Sequence, residues 1–196
     1  MNTDESGRCG IVSFLLAKIH NYCMQETNLY TATVPPIMNT LEKLSKLLDK
    51  AQAHAGSKKA DVAHLLHDRL VFDQFPFVKQ VQIACDNAKS VAAKIAQIEN
   101  PKHEDNEKTF LELKARVEKT LAFLKTIKPT QMIGHENIKV PFQYMPGKHL
   151  TGYEHAMDYI MPKFYFHVIT AYSILRKNGV DIGKMDYLTL ALKDDK

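Results

Sequence analysis

The sequence predicts an all-α protein: a four-helix bundle with a kinked second helix and a long loop or short hairpin before the last helix. Three observations carry this reading. Apolar residues recur at Ile37, Leu41, Leu44, Leu48, Ala51 and Ala55, spaced alternately four and three, which is one face of a helix. A similar seam runs through Phe110, Leu113, Val117, Leu121 and Leu124. The last long helix is framed by Tyr159-Ile160-Met161-Pro162 and Asn178-Gly179, a proline start and a glycine finish.

The first helix is expected to open at Val34-Pro35-Pro36, because proline suits a first turn whose N–H groups have no intrahelical partner. Gly56 is expected to end it. The second helix follows with Asp61 in its first turns, and its apolar pattern continues from Leu65 and Leu66 through Val81, Ala84, Cys85 and Ala88 to Ile95. Phe75-Pro76-Phe77 interrupts it, so the helix kinks or breaks near Phe72 to Phe75. Asp105 or Asn106 is the expected cap of the third helix, whose Glu104/Lys108 and Glu112/Arg116 pairs read as a solvated face. From Lys128 to His149 prolines and glycines accumulate, and Ile138-Lys139-Val140-Pro141-Phe142 alternates as a hairpin strand does. The tail from Asp181 to Leu188 is expected to pack back on the bundle.

Composition narrows the function classes. The chain has 196 residues, 45% hydrophobic and 24% charged, with 26 Lys and Arg against 22 Asp and Glu, for a formal charge of +4. These are ordinary globular values for one domain of this size. The positive excess is small and dispersed, which argues against a nucleic-acid partner. The stretch Ile11 to Ile19 falls short of the roughly 20 apolar residues of a membrane span and lacks the basic start of a signal peptide. Three cysteines, Cys9, Cys23 and Cys85, make an odd set without pairing spacing, so a reduced cytoplasmic location is expected. The polar run from Met24 reads as a second beginning. Residues 1–23 are accordingly expected to be an extension or the product of a misplaced start, and residues 24–196 the single domain.

The segment Met161-Pro162-Lys163-Phe164-Tyr165-Phe166-His167 onward to Val180, followed by Gly183-Lys184-Met185-Asp186-Tyr187-Leu188, resembles the C-terminal signature of a bacterial domain-of-unknown-function family, number nineteen ninety-three. The stretch from Lys59 to Asp86, with Phe75-Pro76-Phe77 inside it, is similar to the same family's second helix. That family belongs to the DinB/YfiT-like superfamily of four-helix bundles. The resemblance implies a divalent metal, such as zinc or nickel, held by three histidines, one from the second helix and two four residues apart on the last. It also implies thiol-dependent transferase chemistry on small thiols such as bacillithiol or mycothiol. In this sequence the matching positions are His64, Lys163 and His167. A lysine ammonium has no lone pair to offer a metal, so the set is incomplete, with His64 and His167 the remaining metal candidates.

His167 shares a face with Phe164, Ala171 and Ile174 and should point into the bundle. His67 lies three residues beyond His64, and Asp68 could add a carboxylate; His155, beside Glu154 and Asp158, is a replacement ligand. Phe72 and Phe75 by the kink, with Lys163, Phe164, His167, Ala171, His64 and His67, are the residues expected to line a pocket. Cys85 reads as a small buried hydrophobe. Three functions are open: a small-ligand binder or accessory protein with a degraded metal site, expected as a homodimer; a metal-dependent thiol S-transferase using His64 and His167; and a structural or interaction protein without a pocket.

Overall fold

The computed structural model describes residues 27–59, 61–142 and 144–188. The expected extension, with Cys9 and Cys23, lies outside the described residues. Helix α1 spans Leu29–Ser57, α2 Val62–His67, α3 Phe77–Ala96, α4 Phe110–Thr126, α5 Met161–Lys177 and α6 Lys184–Tyr187. The four long helices α1, α3, α4 and α5 make the expected all-α bundle. Helix α1 packs on α4, α4 on α3, and α3 on α5, which closes back on α1. The alternating seam of α1 is the core: Ile37, Leu41, Leu44, Leu48 and Ala51 are all buried. They meet Phe77, Phe110 and Phe164, three of the largest side chains with no exposed surface to speak of. No helix among the described residues is long and apolar enough to cross a membrane.

Local chemistry moves several boundaries. Helix α1 begins five residues before Val34, because Asn28 and Thr31 form a capping box: each side chain accepts from the other's backbone N–H, both at 3.0 Å. The prolines therefore sit inside the helix. The second helix does not merely kink. It divides into α2 and α3, with Asp68–Pro76 looped between them and the Phe77 N–H donating to the Asp68 carbonyl at 2.9 Å. Proline 76 becomes the residue before α3, where its missing donor costs nothing. Helix α4 is capped by Thr109 and not by Asp105 or Asn106, since Glu112 at the third position completes a capping box with Thr109.

The supposedly solvated face of α4 also needs correction. Arg116 is buried, and its guanidinium reaches Glu107, Asp86 and Asp105, each at 2.9 Å. Glu112 is occupied with the helix cap, so the expected Glu112/Arg116 pair does not form. Cys85 is fully buried, and burial pushes its thiol up to about 12, so it is a packing residue.

The Pro- and Gly-rich connection forms the expected hairpin. Strand β1 (Lys139–Pro141) pairs antiparallel with β2 (His149–Thr151), Val140 opposite Leu150. The chain then enters a π-helical turn, Glu154–Ile160, that runs straight into α5. Its entry is fixed by Glu154, which accepts from the Thr151 N–H and hydroxyl at 2.8 and 2.9 Å. Gly152 is required here: a Cβ at this position would lie 2.1 Å from the His135 carbonyl oxygen. His135 in turn holds the connection to the bundle through Nδ1, 2.6 Å from the Ile95 carbonyl. The tail packs back as α6, where Asp186 meets Lys50 at 2.7 Å and Tyr187 approaches Tyr172.

Candidate functional site

A cleft of about 530 Å³ opens where α3 and α5 face each other beneath the hairpin. Eight of its residues follow two helical faces. On α3 they recur as Ile83, Asn87, Ser90 and Lys94; on the π turn and α5, as His155, Tyr159, Lys163 and His167, every fourth residue. The hairpin covers one end with Phe142 and Tyr144, and Phe75 from the loop before α3 stands at the other. Phe142 packs edge-on to both Tyr159 and Tyr144, with ring centroids 5.2 and 5.8 Å apart.

Each wall has a distinct electrostatic character. His167 is buried against Gln80, its Nδ1 2.6 Å from the amide Oε1. Burial, and then the Lys163 charge, pull its pKa down to about 4. His155 is only 2% exposed; burial and then Lys94 bring it to about 4 as well, and its Nε2 has no hydrogen-bond partner. Both imidazoles are therefore neutral at neutral pH. Lys94 is held below the usual lysine range by burial and by the charge of Lys163. No carboxylate among the described residues lies within ion-pair distance of either lysine, while Lys163 sits 5.4 Å from the centroid of the Tyr159 ring. Asp86 also lines the cleft, but Arg116 at 2.9 Å and Lys89 at 3.1 Å neutralise it from behind.

The sequence-predicted residues separate into three groups. Phe75, Lys163 and His167 line the cleft. Phe164 and Ala171 are part of the closed core, because they turn toward the bundle axis and not toward α3's polar face. His64, His67 and Phe72 lie elsewhere. Both histidines are exposed on α2, and Phe72 is 92% exposed, because the break after His67 sends the chain outward before Pro76 returns it. His64 lines a second hollow with His54, Asn178 and Gly179, past the C-terminal end of α5. Asn178 is eleven residues beyond His167, about 16 Å along a helix axis. Asp68, the carboxylate set beside them in sequence, binds Lys177 and Asn178 instead.

These placements decide whether the residues suit the three-imidazole metal centre that the resemblance implies. His64 stands past the C-terminal end of α5 and His167 about three turns back along it, and Lys163 carries an ammonium. His155, the replacement ligand, does enter the cleft while Glu154 and Asp158 stay exposed. It is twelve residues from His167 along one continuous helical run, on the order of 15 Å even through a π turn. Two nitrogens that each bind an ion at about 2 Å cannot share one across that span. Among the described residues no group of three or more His, Cys, Asp or Glu side chains is placed to hold a metal ion. The donor set does not fit that metal centre.

Lys94, Asn87, Ser90 and Tyr159 were not singled out from sequence. The signal was there as polar residues on the otherwise apolar seam of α3, at the same alternating spacing as its core positions. A π turn that aims His155 inward has no comparable signature.

Residues 29–188 match the model of a family described as a domain of unknown function, DUF1993. A crystal structure of a DinB family member protein from Shewanella denitrificans is similar to the chain with a TM-score of 0.81 and 42% identity, covering 85% of this chain and 96% of that one. No curated protein matches the chain. The matched segment contains the whole bundle, the hairpin and the cleft, and the chain belongs to the DinB-like DUF1993 family.

Proposed function

We propose that the protein binds a small organic molecule in the cleft between α3 and α5, without a bound metal. The observation that carries this reading is the cleft itself. A concave space of about 530 Å³ holds aromatic side chains together with a few converging polar groups, which is the usual make-up of a small-molecule site. Two of those polar groups are histidines kept neutral by burial, and two are lysines with no carboxylate partner among the described residues, an arrangement that a closed core would not retain. The metal-dependent thiol transferase reading finds no support in this donor set, because His64 and His167 cannot reach a common ion.

Soaking crystals of the protein with a library of small fragments tests the proposal. Density for fragments between Tyr159 and Asn87 is the expected result; fragments seated only at other surfaces would reject it. A zinc titration of tag-free protein is expected to show no saturable stoichiometric binding, and to be unchanged in His64→Ala.

A further inference from the structure

The cleft also indicates what kind of molecule it takes, an inference that rests on the binding reading above. Two of its polar groups, the Lys94 and Lys163 ammoniums, can only donate. Lys94 and Lys163 approach from opposite helices, close enough that the Lys163 charge adds to burial in holding Lys94 below the usual lysine range, and no carboxylate among the described residues neutralises either. Asn87 and His155 line the same space, are 5% and 2% exposed, and leave Asn87 Nδ2 and His155 Nε2 without partners. A buried donor that lacks an acceptor, as Asn87 Nδ2 does, is costly, and two ammonium groups held together are costlier; a single anionic head group relieves both. The charge it meets is moderate, because both histidines are neutral and Asp86 stands in the same wall, tied to Arg116 and Lys89. That balance suits one negative charge better than a doubly charged phosphate. Beside the lysines, Tyr159 and Phe142 meet edge to face and form an aromatic corner.

We propose that the ligand is a small aromatic carboxylate, its carboxylate held between Lys94 and Lys163 with Asn87 donating to it, and its ring lodged against Tyr159 and Phe142.

The test uses the full-length protein and three probes: phenylacetate, its neutral amide phenylacetamide, and inorganic phosphate, each titrated by calorimetry. Phenylacetate is expected to bind at least tenfold more tightly than phenylacetamide, and to weaken at least tenfold in Lys163→Met while Lys163→Arg keeps most of the affinity. Equal binding of phenylacetamide would overturn the proposal, as would displacement of phenylacetate by phosphate at equal concentration. So would a lack of phenylacetate binding while other fragments occupy the cleft, a result that leaves the broader binding reading standing. A cleft that takes no fragment of any kind counts against that broader reading itself. The comparison of acid with amide needs no variant, so misfolding of Lys163→Met does not blunt it.

Discussion

The Nδ1 of His167 and the Oε1 of Gln80 lie 2.6 Å apart across the α3–α5 interface, in the interior of the bundle. The amide's orientation is fixed by its other end, where Gln80 Nε2 donates to the Phe75 carbonyl at 2.9 Å. Gln80 Oε1 is therefore the acceptor, and His167 donates from Nδ1. A neutral ring then keeps its lone pair on Nε2. Through this chain the loop before α3, α3 and α5 are joined at one end of the cleft. Gln80→Leu removes the acceptor and leaves a buried donor unpaired, so it should cost about 1–3 kcal/mol in urea unfolding. The side-chain nitrogen spectrum of His167, which should show the Nδ1-protonated tautomer in the wild type, should change in the variant.

Acid should destabilise the protein over a defined range. Burial, and next the neighbouring lysines Lys94 and Lys163, hold His155 and His167 at about 4, against an ordinary 6.5. The unfolded chain thus binds more protons than the folded one between these values, so stability rises with pH across the window and falls as pH drops from 6.5 toward 4. Each histidine accounts for on the order of 3 kcal/mol of that fall. Denaturant midpoints measured from pH 7 to pH 4 should decline steeply, and His167→Gln should flatten the decline by about half.

Arg116 is the buried counter-charge that lets α4 lean on the loop before it. Its guanidinium serves Glu107, Asp86 and Asp105, and Glu107 is itself nearly inaccessible. Arg116→Met leaves the buried Glu107 without a cation, while Asp86 keeps Lys89 and Asp105 keeps Lys79, and should cost about 3–5 kcal/mol. Thermal melts of the variant at neutral pH should show the loss.

Gly152 positions the π turn and, through it, His155. With the His135 carbonyl oxygen 2.1 Å from where a Cβ would be, the backbone has to shift to admit even a methyl group. Gly152→Ala should destabilise by about 1–3 kcal/mol, and amide spectra should show changes concentrated at His135, Tyr153 and His155.

How much of this was legible in the sequence depends on the length of the signal. The seams of α1 and α4 run over several turns, so their buried residues could be read directly, as could the proline and glycine that bound α5. The start of α1 was misplaced because a capping box at Asn28 and Thr31 outweighs two prolines a turn later. The site was harder. Lys163 and His167 follow from helical spacing on α5, but whether His64 could join them depended on the fate of the chain at Pro76. A kink would have kept α2 in line with α3; the break from Asp68 to Pro76 turns α2 to the far end of α5. His155 enters the cleft only because the hairpin, Gly152 and the π turn deliver it there, a tertiary outcome that no local periodicity encodes.

The central claim is that the α3–α5 cleft, and not an assembly of His64 with His167, is where this protein meets its ligand. Amide-resolved NMR of the full-length protein, followed during addition of a small-fragment library and separately of zinc, tests it most directly. The account predicts saturable shifts from fragments at Asn87, Lys94, Tyr159 and Lys163, with His64 unmoved and no stoichiometric response to zinc. Zinc shifting His64 and His167 together at one equivalent, with the cleft silent to every fragment, would contradict it.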